Sequence, residues 1–267
     1  MEVLIVETNR YLIDYYNRGN EDGRLASQHG SVEFLTTMRY IQKYLEPGDR
    51  IIEIGAGTGR YSHALAECGY AVDAVELVEH NIEIFRQNTR PGENITVTQG
   101  NAMDLSGFSD ETYDITLLLG PMYHLYNQDD KRQALREAIR VTKQGGVIFS
   151  AYCISDPSIL DYGFKQGHVF ELIEKEMLET EHFKAFSHPW DLFELHRKED
   201  IDALMYEFST TRLHYVAADG YTNHMSEAID TMDERTFALY LKYHFTVCER
   251  PDMAGLTHHV LDIFRKA

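Results

Sequence analysis

The chain changes rhythm along its length. Apolar positions first recur at helical spacing through Phe34, Met38, Ile41 and Leu45, with Ser31 as the expected cap, Glu33 in the first turn and Pro47-Gly48 as the stop. Ahead of that helix, residues 11–30 mix aromatics with charge and show no clean period, which predicts a short helix and a loop. From Arg50 short apolar runs alternate with amphipathic stretches, the pattern of strands and helices around a parallel sheet. Strands are expected at 51–54, 71–75, 95–98, 115–119 and 147–152, and helices at 61–68, 79–88 and 130–142, punctuated by Gly69, Pro91-Gly92 and Gly145-Gly146. After Tyr152 the rhythm breaks. Residues 155–189 hold a helical stretch at 169–178 and many aromatics, too much chain for an ordinary connection. A core helix at 198–208 and a strand at 212–217 follow, then a second helical insertion at 222–249. The last strand, 259–264, has no crossover helix of its own and suits an antiparallel return. With no internal repeat or linker, the reading is a single domain over 1–267, divided into an N-terminal segment 1–30, a core 31–152 and helical insertions at 153–190 and 218–257.

Candidate chemistry gathers after the first strand, where Glu53-Ile54-Gly55-Ala56-Gly57-Thr58-Gly59-Arg60 forms a glycine-rich turn opening a helix. Glycine permits positive φ and lets a ligand approach the main chain. A dinucleotide fingerprint would place glycine at position 60, where this chain has Arg60, so NAD is disfavoured. Glu76 ends the second strand, where a carboxylate can accept from both ribose hydroxyls of an adenosine, and Leu77 follows to lie against an adenine face. After the third strand, the turn Gly100-Asn101-Ala102-Met103-Asp104 offers the Asn101 side chain as an acceptor for an adenine amino group.

Taken in order, E-I-G-A-G-T-G, V-E-L, G-N-A-M-D-L, Y-D-I-T-L-L-L-G-P-M-Y-H-L and R-V-T-K-Q-G-G-V resemble the motifs of class I S-adenosylmethionine-dependent methyltransferases, closest to the ubiquinone/menaquinone-biosynthesis-like, small-molecule branch. The resemblance covers residues 31–152. It implies an α/β fold, a Rossmann-like doubly wound seven-stranded sheet with an antiparallel last strand, carrying the helical insertions as a substrate cap. It implies S-adenosylmethionine as cofactor, with Glu53 and the Gly55, Ala56 and Gly57 backbone at the methionine part, Thr58 in the same turn, Glu76 at the ribose, and Leu77, Asn101, Ala102 and Met103 at the adenine. Leu119 would offer its carbonyl near the methionine amino group, with Tyr123 close by. Related enzymes fold an N-terminal helix over the cofactor carboxylate, which brings in Tyr16, Arg24 and His29. In the fourth motif, Gly120 and a single proline replace the Asn/Asp-Pro-Pro of amine-directed nucleic-acid methyltransferases. His124 is then the candidate general base, since histidine titrates in the right range. His258 and His259 are expected at the same edge of the sheet.

Charge narrows the partners. With 43 acidic residues against 25 Lys+Arg, the net charge of −18 opposes a phosphate backbone. The expected acceptor is therefore a small molecule rather than nucleic acid or a membrane. No basic leader or long apolar span is visible, and Cys68, Cys153 and Cys248 stand apart, so a cytoplasmic, reduced protein is expected. The 13 histidines form no H-E-x-x-H, and adjacent His258 and His259 would point to opposite faces of a strand, so no metal is expected. The aromatics Tyr162, Phe164, Phe170, Phe183, Phe186, Trp190 and Phe193 read as packing within the cap, or as a pocket for an apolar or planar substrate. Competing readings are an RNA or protein methyltransferase, a non-catalytic binder of S-adenosylmethionine or S-adenosylhomocysteine, and an NAD(P)-dependent oxidoreductase.

Overall fold

In a computed structural model of the chain, which describes residues 10–17, 27–191 and 193–267, the alternation from Arg50 onward becomes a sheet whose side chains divide between two helical layers. Helix α1 (Gln28–Tyr44) precedes β1 (Arg50–Ile54), α2 (Arg60–Glu67), β2 (Ala71–Glu76), α3 (Glu79–Asn88), β3 (Ile95–Gln99) and β4 (Tyr113–Leu118). Next come α4 (Gln128–Val141), β5 (Thr142–Ile154), α5 (Lys198–Met205), β6 (Thr210–Ala217), α6 (Glu234–Val247) and β7 (His259–Lys266). The sheet order is β3-β2-β1-β4-β5-β7-β6, and β7 runs antiparallel to both neighbours. An eighth, two-residue strand, Leu195–His196, pairs in parallel with the end of β5.

Strand alternation sends Ile51, Ile115, Leu117, Phe149 and Ala151 to one face, where they meet Met38 and Ile41 of α1 and Leu65 of α2. Ile52, Ile54, Leu118, Ile148 and Tyr152 point the other way, onto Ala134, Leu135 and Ala138 of α4 and Ile201 and Leu204 of α5. Burial on both faces is what a parallel sheet under crossover helices requires.

Several boundaries differ from the sequence reading. Helix α1 starts earlier, capped by Ser27, whose side chain accepts from Gly30 N at 3.2 Å, while Ser31 sits inside the helix and donates to the Gln28 carbonyl. Helix α4 stops at Val141 rather than at the glycine pair, because Thr142 already pairs with Tyr113; Gly145, at φ +75°, falls within the irregularity that brings β5 back into register.

The two insertions differ in what they pack against. Residues 155–191 form short helical turns and a small hairpin, Leu178–Glu179 with Lys184–Ala185. Its aromatic rings do not pack a core: Tyr162, Phe164, Phe170, Phe183, Phe186 and Trp190 are exposed, because the segment is too thin to enclose them. The second insertion braces α1 instead. Gln28 donates to the Ile229 and Met232 carbonyls, Thr36 meets His244 at 3.0 Å, and Tyr40 donates to Glu249 at 2.6 Å. Among the described residues no helix is long and apolar enough to cross a membrane.

Candidate active site

Loops leaving the C-terminal ends of β1, β2, β3, β4 and β5 open onto one cavity of about 1140 Å³. Its floor is the glycine turn. The amides of Gly55 and Ala56 both donate to the Val75 carbonyl, at 2.8 and 3.1 Å, and pin the turn against β2. Gly55 has φ +78°, and a Cβ there would lie 2.5 Å from Pro121 Cδ, so only glycine lets the loops after β1 and β4 meet. Gly57, at φ +55°, has nothing within 4 Å of a would-be Cβ, which leaves its backbone bare toward the cavity.

Two carboxyl groups are sunk into this floor with different roles. Glu76 is buried, and its Oε2 accepts from Gly57 N at 2.8 Å while Oε1 accepts from Val78 N at 2.9 Å and Asn81 Nδ2 at 3.3 Å. Burial raises its pKa, and these donors pull the other way by favouring the anion. Glu53 is 1% exposed and binds the amide of Ser62 at 3.0 Å and the Ser62 hydroxyl, tying β1 to the first turn of α2. Desolvation pushes the Glu53 carboxyl up to about 8, Ser62 opposing and the neighbouring Glu76 charge adding to it. Near neutral pH Glu53 is therefore mostly the protonated acid, with an O–H to donate.

The loop after β3 folds back on itself: Asn101 Oδ1 accepts from Met103 N at 3.0 Å. One lone pair of the oxygen expected at adenine is thus used within the turn. After β4, Pro121–Tyr123 makes one tight helical turn that delivers Tyr123 and His124 to the aromatic part of the cavity lining. His124 Nε2 lies 3.1 Å from the Tyr16 hydroxyl, and its ring sits against Tyr16 and Phe193 with centroids 5.8 and 5.5 Å away. Residues 10–16 are helical and meet Trp190 and Phe193 through Tyr11–Trp190 and Tyr15–Phe193 ring contacts.

Of the residues singled out from the sequence, Tyr16, Glu53, Gly55, Ala56, Gly57, Thr58, Glu76, Leu77, Asn101, Ala102, Met103, Leu119, Tyr123 and His124 all line this cavity. His29 does not. It begins α1 and binds Asp230 through both its amide and Nδ1, at 2.9 and 2.7 Å, so it anchors the second insertion. Arg24 lies outside the described residues. Sequence reasoning missed Arg60, Tyr61, Asn81 and Tyr15, which also line the cavity. The signal for Asn81 is only its place early in the helix after Glu76; Tyr61 resembles any apolar helix position until α2 is docked.

His258 and His259 do reach the cavity and part as expected, His258 lying tilted against His224 with ring centroids 4.8 Å apart and His259 turning to Asp219. Glu33, Asp219 and His259 place ligand atoms within 4.8 Å of one another, a spacing a metal could use. Asp219 is already bound by Thr257 Oγ1, Asn223 Nδ2 and the His259 amide and ring, the pattern of an ion pair with imidazolium.

A family model described as a methyltransferase domain matches residues 51–146. The chain is 27% identical over 162 residues to a glycine/sarcosine N-methyltransferase of Aphanothece halophytica, covering 60% of this chain and 56% of that one. It is 35% identical over 102 residues to a demethylmenaquinone methyltransferase of Clavibacter sepedonicus, covering 38% and 40%. The matches thus span about half the length of these relatives. Its fold is shared with Haemonchus contortus phosphoethanolamine N-methyltransferase 1, at a TM-score of 0.63 and 15% identity, over 99% of this chain and 49% of that one.

Proposed function

We propose, from the premise that this chain belongs to the class I S-adenosylmethionine-dependent methyltransferases, that it transfers a methyl group to a small-molecule acceptor enclosed in the cavity described above. The cofactor of this family supplies an electrophilic methyl group on a sulfonium. The observation that carries the reading is the pairing of the bare Gly57 backbone with the buried Glu76 carboxylate at one end of a cavity whose other end is walled by Tyr15, Tyr16, Tyr123, His124 and Phe193. The first group fits the cofactor: a carboxylate held by Gly57 N, Val78 N and Asn81 keeps an acceptor site on Oε2 for a ribose hydroxyl, and a glycine turn admits the methionine portion.

Each residue then has a task that needs no covalent step by the protein. Glu76 would bind the ribose, and Leu77, Ala102 and Met103 would flank the adenine. Glu53, as a protonated acid, would keep the turn and α2 in place and offer a donor beneath the methionine portion. Aromatic walls exclude water and hold the acceptor atom in line, where alignment within about 3–3.5 Å supplies most of the rate. His124 would take a proton from an acceptor that must lose one, with Tyr16 fixing its ring. Residues 10–16 together with Phe193 and the 187–191 segment would act as the cap, since Tyr16 and Phe193 carry the aromatic contacts of His124.

Isothermal titration with S-adenosylmethionine and, separately, NADH tests the reading on the wild type and Glu76→Ala. Micromolar binding of the methyl donor, lost in the variant, is expected. No binding of the donor, or binding of NADH in its place, would remove it. Release of S-adenosylhomocysteine in a screen of amine, hydroxyl and carbon acceptors then separates an enzyme from a cofactor-binding protein, and His124→Ala should slow turnover of a protic acceptor by about 10²–10⁴-fold.

A further inference from the structure

His259 enters the cavity from the start of β7 in an arrangement that its neighbours define closely. Its Nδ1 lies 2.7 Å from Asp219 Oδ2 and 3.5 Å from Glu33 Oε2. Asp219 is itself fixed, 2% exposed, by Thr257 Oγ1, by Asn223 Nδ2 at 2.7 Å and by the His259 amide at 3.2 Å. The ring's hydrogen bonding is all at Nδ1. Among the described residues Nε2 has no partner, yet it is not one of the sealed polar atoms, and the side chain keeps 18% of its surface exposed while lining the cavity. With Nδ1 turned to the carboxylates, Nε2 is the end left for a bound molecule. Other cations lining the cavity are engaged differently: Arg132 is bound to Glu207 and Asp129, and the Arg60 guanidinium lies 4.5 Å over the Phe34 ring.

We propose that His259, clamped through Nδ1 by Asp219 and Glu33, is the carboxylate anchor of the cavity, donating its Nε2–H to a carboxylate of a bound small molecule. Burial opposes a charge on the ring, but Glu33, Cys153 and Asp219 outweigh it and hold the imidazole well above its ordinary pKa, which favours the ring with a proton on Nε2 as well as on Nδ1. The carboxylates sit on the Nδ1 side, so an incoming anion meets the N–H before it meets their charge. The remaining groups around the ring are Cys153 opposite it on β5, Tyr123 with its centroid 5.9 Å away, the adjoining His258, and Leu119 and Tyr61 beside the small void under it. None of these is a competing cation at neutral pH, since burial pushes His258 down.

Two molecules could bring that carboxylate: the amino-acid end of the cofactor, which rests on the methyltransferase reading, or the acceptor itself, which does not. Titration calorimetry at pH 7 separates them using S-adenosylhomocysteine, methylthioadenosine, which lacks the amino-acid end, and benzoate or benzylamine added to the S-adenosylhomocysteine-saturated protein. If the cofactor is anchored, His259→Phe loses about tenfold in S-adenosylhomocysteine affinity and nothing for methylthioadenosine. If the acceptor is anchored, that ratio holds and His259→Phe instead abolishes a preference for benzoate over benzylamine. An unchanged ratio together with an unchanged probe preference overturns the proposal. Failure of methylthioadenosine to bind the wild type would sink the adenosine site while leaving the benzoate arm, then run on the unloaded protein, intact.

Should His259→Phe not fold, Asp219→Asn keeps a hydrogen-bonding side chain but withdraws the charge. The anchoring effect should then be lost at a lower pH than in the wild type. An identical pH dependence in the two proteins would also overturn the proposal.

Discussion

The glycine-turn wall of the cavity and the wall opposite it are held by different kinds of bond. Around Gly55, Glu76 and Asn101 the contacts are main-chain amides meeting carbonyls or carboxylates close by in sequence, such as Gly57 N to Glu76 only 19 residues on. The opposite wall is assembled from side chains that start far apart: Tyr16 reaches His124 across 108 residues, Tyr15 meets Phe193, and His259 meets Asp219 and Glu33. Backbone contacts keep one geometry across many sequences because every residue carries the same amide. A wall of side chains can change its chemistry without disturbing the sheet. The two parts therefore differ in how readily substitution can alter them, and the proposed division into a cofactor floor and an acceptor wall can be probed wall by wall.

The largest effect is expected on the floor. Glu76→Ala removes the expected ribose acceptor and leaves Gly57 N and Val78 N without their partner, so S-adenosylhomocysteine affinity should fall at least about 100-fold by calorimetry, each charge-assisted bond being worth about 1.5–3 kcal/mol. Retained affinity would mean the two walls have been assigned the wrong way round. Gly55→Ala should come next, as a stability defect of about 2–4 kcal/mol in urea unfolding, because positive φ and the clash with Pro121 combine. Gly57→Ala, with open space around it, should cost only about 1–2 kcal/mol in stability while weakening cofactor binding.

A smaller and pH-dependent effect follows from Glu53. Its folded-state pKa, about 8, lies above its ordinary value, so the folded protein binds more protons than the unfolded chain between about pH 4.5 and 8 and loses stability as pH rises through that window. Glu53→Gln keeps the shape without the ionisation, and its melting temperature should fall by several degrees less than that of the wild type between pH 6 and 8.5. Parallel curves would show that Glu53 ionises without cost. The least effect is expected on the opposite wall: Trp190→Ala removes an exposed ring whose edge contact with Tyr11 is worth about 0.5–1.5 kcal/mol, and should leave methylthioadenosine affinity within twofold.

Legibility in the sequence followed the same division. The strand–helix alternation from Arg50 to Tyr152 gave elements close to their final bounds, with Glu79–Asn88 recovered as expected, since period-2 and period-3.6 burial are local consequences of backbone geometry. The glycine turn, Glu76 and the Gly100–Met103 turn were legible because they sit next to those strands. His29 was misplaced because its partner, Asp230, lies 201 residues away on an insertion whose docking no local pattern announces. The aromatics of 155–191 misled for a related reason: apolar content signals burial only when enough chain surrounds it, and here there is too little.

By itself, then, the sequence determined the alternating sheet, the glycine turn and the acidic residues that flank it, because strand periodicity, positive φ and a carboxylate at a strand end are decided within a few residues. Only the tertiary structure decided that Glu53 is sealed from water, that Gly55 touches Pro121, and that Glu33, Asp219 and His259 share one charge cluster beside the cavity. Desolvation and ion pairing depend on what surrounds a group in three dimensions, and those neighbours come from strands, helices and loops that the chain brings together only when it folds.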